Sequence, residues 1–321
     1  MSCRQWKRWK NICIGKEESK KSFRTNIIPK EFPRFMIKLY YPLTKPGIIF
    51  GNAVTTAAGF MLASRGSFDF SLFFWTLVGL CCVIASACVC NNCIDHKSDA
   101  KMARTKNRAL AQGSVSIKNA LLFATCMGVV GTIILAYYTN YLTLAIALAG
   151  FFVYVVLYSF WKYRSSFATV IGSISGAIPP VVGYCAVSNR FDMGACLIFM
   201  IVALWQMPHF FAIAVYRLED YKAASIPVLP LEKGLLLTKI QMVLYTIAFI
   251  GVSSLLTVFG YTGYIYLVVT LGVSLIWVKI ILDGFTTLND TIWAKKVFIG
   301  SLVVIMAVSI MISVDVVPVQ V

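Results

Sequence analysis

Nine stretches of this chain are each long and apolar enough to cross a lipid bilayer. They lie near 46–64, 71–92, 118–138, 141–160, 168–187, 193–215, 240–260, 263–282 and 297–313. A hydrocarbon core of ~30 Å takes about 20 apolar residues in helical form. Lipid offers no partner to a free backbone amide, and the runs lack the alternation of barrel strands. Each span must therefore be a helix. The expected fold is an all-α membrane protein, a nine-transmembrane-helix bundle. Only 13% of residues are charged, against 59% hydrophobic. Soluble domains carry about 25% charged residues, so a soluble fold is set aside.

The formal charge of +16 would suit a nucleic-acid binder, but its placement fits topology instead. With the N-terminus inside, outer segments hold only Arg65 and Arg190, leaving 27 of the 29 Lys and Arg residues inside. By the positive-inside rule the N-terminus is cytoplasmic and the C-terminus periplasmic, with no nucleic-acid partner implied. Residues 1–38 read as a basic cytoplasmic tail suited to anionic lipid. Its Glu17, Glu18 and Glu31 are unlike a transit peptide, which favours a bacterial cell inner membrane. Residues 39–321 then form the membrane domain. Its two longest connections, 93–117 and 216–239, are both inner and carry most of the polar chemistry. Cysteines lie mostly at membrane depth, where they serve as small packing residues. Cys90 and Cys93 spell a C-x-x-C, but no second pair completes a zinc site. Pro179-Pro180 and Pro208 are expected to break or kink their helices.

The sharpest motif spans Asn91 to Arg108. Asn91, Asp95 and Asp99 are spaced four apart, so they drift only about 40° per step and share one helical face. Carboxylates this close to lipid are functional candidates by default. Three oxygen ligands on one face suit Mg²⁺, which takes one or two carboxylates plus substrate phosphate oxygens. Arg104, Lys106 and Arg108 follow, and their cations would bind the same phosphates. The competing reading is a juxtamembrane charge run. The strict register favours a lipid-like diphosphate site.

A second cluster lies in 205–230. His209, Arg217 and Asp220 fall on one face of the sixth helix and its extension, His209 about 12 Å deeper than Arg217 if the helix is continuous. Asp220, Tyr221 and Lys222 make a second acid–base group, where a second Mg²⁺ and a leaving-group cation, Arg217, would fit. Lys45 and Asn52 flank the start of the first helix. Lys45 also fits interfacial snorkelling, and Asn52 a helix-to-helix hydrogen bond.

The chain resembles the haem O synthase (protohaem IX farnesyltransferase) branch of the intramembrane, UbiA-type prenyltransferase superfamily. The likeness covers nearly everything after the tail. It rests on Leu43-Thr44-Lys45-Pro46-Gly47, Asn91-Asn92-Cys93-Ile94-Asp95, Arg104-Thr105-Lys106-Asn107-Arg108 and Ile171-Gly172-Ser173 through Pro179-Pro180. It continues in Trp205-Gln206-Met207-Pro208-His209, Asp220-Tyr221, Ile226-Pro227-Val228-Leu229-Pro230 and Ser313-Val314-Asp315. The resemblance implies a central cavity with cytoplasmic active-site loops. It implies farnesyl transfer from farnesyl diphosphate to a vinyl group of haem B, giving haem O. Mg²⁺ would bridge the diphosphate to Asp95 and Asp99, with Asn91, Arg217 and Asp220 catalytic. Lys45, Arg104, Lys106, Arg108 and Lys222 would bind diphosphate, and Trp205 and His209 haem. His209 is open between iron ligand, porphyrin positioning and packing. Haem A synthase or oxidase assembly proteins are implied as partners. Three positions depart from the pattern. His96 stands where Arg is common, Ala109 where Pro is common, and Ala224 where the superfamily's second motif has another acid. The last puts a second metal in question.

Three other readings compete, one of them a non-catalytic assembly subunit for a respiratory oxidase, against which the intact Asn91, Asp95 and Asp99 argue. A quinone-precursor acceptor would keep the same chemistry. A lipid-phosphate carrier would use kinked spans and intramembrane charges differently, with its acids at the midplane rather than at the inner mouths.

Overall fold

The computed structural model describes residues 38–318. All but the last residue of the expected tail over 1–38 lies outside the described residues. Nine helices among them are long and apolar enough to cross a membrane. They are α1 (Pro46–Ser64), α2 (Phe70–Asp99), α3 (Ile117–Tyr138), α4 (Tyr141–Trp161), α5 (Ala168–Ser188), α6 (Met193–Tyr216), α7 (Leu235–Val258), α8 (Tyr264–Phe285) and α9 (Asp290–Val314). The sequence-derived spans match these, with three differences. α2 runs on to Asp99 rather than stopping near 92, α7 starts at Leu235, and α9 starts at Asp290. An apolar run marks the part of a helix that lipid surrounds. It is blind to turns that project beyond the hydrocarbon and find polar partners.

Five of the spans begin on a side-chain cap. Asp69, Ser116, Asn140, Asp192 and Asn289 each accept a backbone N–H from the first turn of α2, α3, α4, α6 and α9. Such caps satisfy amides that the helix itself leaves free. Three buried tryptophans solve the same problem between helices. Trp205 donates its indole N–H to Ser301 O at 2.8 Å, Trp277 to Val297 O at 3.0 Å and Trp293 to Ile280 O at 2.8 Å. These bonds tie α9 to α6 and α8.

Of the expected break or kink at proline, the break does not occur. α5 is helical through Pro179 and Pro180, and α6 through Pro208. The neighbours close in around α5 instead. α1 packs extensively against it, with Gly59 against the Pro180 carbonyl and Gly183 against the Thr56 carbonyl. A Cβ at either glycine would run into backbone, which cannot swing aside as a side chain can. Gln206 of α6 fills the space beside Gly176 and donates to Ser173 O at 3.2 Å. α1, α2, α4, α5, α6 and α9 all contribute to one central cavity. α3, α7 and α8 pack outside.

Overpacking a closed site costs roughly 1–3 kcal/mol. Gly59→Ala and Gly183→Ala should each lower the thermal midpoint in detergent by several degrees. Gly272→Ala, which meets nothing within 4 Å, should leave it unchanged. Thermal unfolding of the three variants checks the α1–α5 contact.

Candidate functional site

The cavity measures about 880 Å³. Its wall along α2 runs from Leu80 to Asp99, about 28 Å at ~1.5 Å per residue. Deep positions are apolar, among them Leu80, Val83, Ile84, Ala147 and Ile178. The mouth, at the loop ends of the helices, is polar and charged.

The mouth is built on the last three turns of α2. Asn91 and Asp99 are buried there. Each polar group on this face meets a partner from elsewhere in the chain. Lys45 Nζ donates to Asn91 Oδ1 at 2.8 Å, and Asn91 Nδ2 approaches Ser159 Oγ at 3.4 Å. Asn92 Nδ2 donates to Leu43 O at 2.8 Å. Lys162 forms an ion pair with Asp95, and Tyr163 donates its hydroxyl to the same carboxylate at 2.6 Å. Arg108 pairs with Asp99 at 2.7 Å, while Thr105 Oγ1 donates to Asp99 O at 2.9 Å. These last two bonds fold the loop after α2 back over its own helix end. Lys45 reaches Asn91 from a left-handed backbone (φ 54°, ψ 67°) that joins the short turn Tyr41–Thr44 to α1. A non-glycine residue is held there at a cost of about 1–2 kcal/mol.

Burial pulls the ammonium groups of Lys45 and Lys162 below the usual lysine range, and Asp95 pulls Lys162 back the other way. The Tyr163 phenol is pushed up, by burial first and by its bond to Asp95 second. Burial also raises Tyr221.

Several mouth residues escaped the sequence reading. From sequence Lys162 reads as one of the topology charges, and Tyr154, Tyr158, Ser159 and Tyr163 as part of the apolar span or its end. One signal was available: Tyr158 and Lys162 are four apart at the inner end of α4. The structure adds a π-helical segment, Val153–Tyr158. Such segments recur at functional sites because they re-aim the side chains beyond them. Here Tyr154 and Tyr158 stack with ring centroids 5.5 Å apart, both lining the cavity.

The opposite wall comes from α6 and α9. Trp205 and His209 stack at 4.9 Å, and His209 Nδ1 lies 2.7 Å from Ser301 Oγ. Phe298, Leu302, Ile305 and Met306 flank them. Ser301 was also missed, because a lone serine in an apolar run carries no sequence signal.

Of the residues singled out from sequence, Lys45, Asn52, Asn91, Asp95, Asp99, Arg104, Arg108, Trp205, His209 and Tyr221 line this one cavity. Lys106 and Lys222 are exposed and stand off it. Arg217 and Asp220 are also outside the lining. α6 ends at Tyr216, Arg217 is not helical (φ −113°, ψ 26°), and a separate short helix follows over Leu218–Ala223. The continuous face expected for His209, Arg217 and Asp220 is broken at that joint. Asp220 turns to the other inner loop, where its Oδ1 accepts the Ala103 N–H at 2.9 Å. His96 bonds Cys93 O through Nδ1 at 2.7 Å and does not line the cavity.

No group of three or more His, Cys, Asp or Glu side chains among the described residues forms a self-sufficient metal cage. Asn91, Asp95 and Asp99 supply an amide and two carboxylates. That donor set fits Mg²⁺ completed by phosphate oxygens.

A UbiA prenyltransferase family model matches residues 52–302. The chain belongs to the UbiA prenyltransferase family. A protoheme IX farnesyltransferase of Protochlamydia amoebophila is 54% identical over 282 residues, covering 88% of this chain and 100% of that one. A digeranylgeranylglyceryl phosphate synthase structure superposes with a TM-score of 0.72 at 17% identity, covering 87% of this chain and 98% of that one. A UbiA homologue from Archaeoglobus fulgidus, solved with GPP and Mg²⁺, gives a TM-score of 0.65 at 13% identity, covering 87% and 99%. At these identities the two structures establish the UbiA fold. Membership of a transferase family also sets aside the carrier reading.

The Asp220–Ala103 bond ties the loop after α2 to the one after α6. Asp220→Ala should release the 100–116 loop, whose Lys101, Arg104, Lys106 and Arg108 are trypsin sites. Limited proteolysis in detergent should cut there several-fold faster than in the unaltered protein.

Proposed function

We propose that this chain transfers the farnesyl group of farnesyl diphosphate to a vinyl group of haem B, giving haem O for terminal oxidase assembly. The observation that carries the haem acceptor is the 54% identity, across its whole length, to a relative named for that reaction. The cavity supports it with two chemically different walls, one for each reactant.

The diphosphate belongs at the mouth, where Lys45, Arg104, Arg108 and Lys162 line the cavity. Asn91, Asp95 and Asp99 would hold Mg²⁺ there, which when bound supplies charge neutralisation to the departing diphosphate. Lys162 and Arg108 neutralise the two carboxylates in this structure. With a metal on the acids, Arg108 and Lys162 would be free to bind the phosphates. Asp220 and its neighbour Arg217, 4.0 Å apart, anchor the loop that carries Arg104 and Arg108. Lys106 and Lys222 add to the basic rim that draws the anion in.

Heterolysis of the C1–O bond leaves an allylic cation. The vinyl group captures it, and water adds to the other vinyl carbon with loss of a proton. The apolar walls keep bulk water from the cation until then. Tyr154 and Tyr158 present π faces close to the mouth, which favour a passing cation. Trp205 and His209 hold the porphyrin on the far wall. The 27 Lys and Arg residues on one side favour a cytoplasmic N-terminus and a periplasmic C-terminus, and a bacterial inner membrane is the setting this reading takes.

Purified protein in detergent, given haem B, farnesyl diphosphate and Mg²⁺, should yield the hydroxyethylfarnesyl haem by mass spectrometry. Asp95→Ala should lower that yield at least about 100-fold, as losing one charge-stabilising group does. Prenylation of an aromatic acid instead of haem would keep the family and reject the haem acceptor.

A pH dependence follows from the buried lysines. In the free enzyme, Lys45 and Lys162 lose their charge as pH rises through a value below the ordinary lysine range. The kcat/KM for farnesyl diphosphate should therefore fall on an alkaline limb that begins early. The double variant Lys45→Arg, Lys162→Arg should move that limb to higher pH, because a guanidinium stays charged.

A further inference from the structure

Ser301 on α9 is wholly buried, and its hydroxyl has one hydrogen to give. That hydrogen goes to Phe298 O at 2.6 Å, since a carbonyl can only accept. The same hydroxyl oxygen lies 2.7 Å from His209 Nδ1. With its proton committed, it can only accept from the ring. With the hydroxyl hydrogen on Phe298 O, Nδ1 would carry the hydrogen of the neutral imidazole and Nε2 would be bare. The Ser301 carbonyl meanwhile accepts the Trp205 indole N–H at 2.8 Å. One residue of α9 thus orients two of the aromatic rings that α6 sends to the cavity wall, Trp205 and His209.

Nε2 of His209 has no hydrogen-bond partner among the described residues, and the ring lines the cavity. The nearby side-chain donors are engaged elsewhere. The Trp205 N–H is held by Ser301, and the Gln206 amide by Ser173 O and Val202 O at 3.2 and 3.1 Å. Phe298, Leu302 and Ile305 make the surroundings apolar.

We infer that Ser301 is a positioning residue that presents His209 Nε2 as an axial ligand to the iron of the acceptor. This inference rests on the haem reading above. A neutral imidazole with one N–H tied to an oxygen and the other nitrogen bare is the form that ligates metals. The oxygen partner sets both the tautomer and the ring orientation. The apolar flank suits a flat macrocycle. The two reactants are then anchored on opposite walls, the diphosphate by the α2–α4 mouth and the iron by α6 and α9. Two such anchors are what orientation of a vinyl group toward an allylic carbon requires.

Ferric haem B titrated into the purified protein tests this, with absorption and EPR spectra recorded and haem O measured in the same samples. The unaltered protein should show a histidine-ligated haem. His209→Gly should lose that signature, and added imidazole should restore it. Ser301→Ala should weaken haem binding about 10–100-fold, raising KM for haem and leaving KM for farnesyl diphosphate in place. Ser301→Thr, which keeps the hydroxyl, should stay close to the unaltered protein. An unchanged haem spectrum in His209→Gly, with haem O still formed, overturns the ligand assignment and leaves the haem reading standing. A Ser301→Ala protein with a lowered thermal midpoint but unaltered spectrum and haem affinity overturns the positioning role. If the unaltered protein neither binds nor prenylates haem, yet consumes farnesyl diphosphate with another acceptor, the haem reading fails and this inference with it.

Discussion

Asp95 and Asp99 stand where an apolar bundle meets its loops, and at that depth a carboxylate needs a cation beside it. Removing one member of a buried pair costs roughly 3–5 kcal/mol. Lys162 serves Asp95 from the end of α4, and Arg108 serves Asp99 from the loop after α2. Much of the mouth follows from these two pairs. The loop folds back over α2 because Arg108 and Thr105 both bind Asp99. α4 meets α2 here because Asp95 takes both Lys162 and Tyr163, and Asn91 takes Ser159. The same cations that stabilise the acids also line the cavity mouth.

The rest of the bundle obeys the rule that lipid supplies no hydrogen bonds. Capping side chains open five of the spans, indole N–H groups reach carbonyls on neighbouring helices, and hydroxyls such as Thr76 and Thr246 return to the carbonyl four residues back. α5 keeps its helix through two prolines because α1 and α6 pack tightly around it. That close approach, more than any sequence preference, holds the cavity wall in shape.

The cavity joins two kinds of surface. The α2–α4 mouth is charged and densely cross-linked. The α6–α9 wall is apolar, with Trp205 and His209 held by a single serine. The proposed reaction, from diphosphate departure to capture by a large flat acceptor, would use this division. Charge stabilises the leaving group, and its absence at the far wall protects the cation.

The amino-acid sequence by itself determined the nine helices among the described residues and the acid face of α2. Each follows from local spacing: about 20 apolar residues per span, and Asn91, Asp95 and Asp99 four apart. What sequence could not reach are partners far apart in the chain. Lys162 looked like one more topology charge until the fold set it on Asp95. Ser301 looked like one more small residue until α9 came against α6. Asp220 looked like a ligand on a continuous helical face until the joint at Arg217 turned it toward Ala103. Periodicity reports which way a side chain points from its own helix. Only packing of one helix on another decides what it meets there.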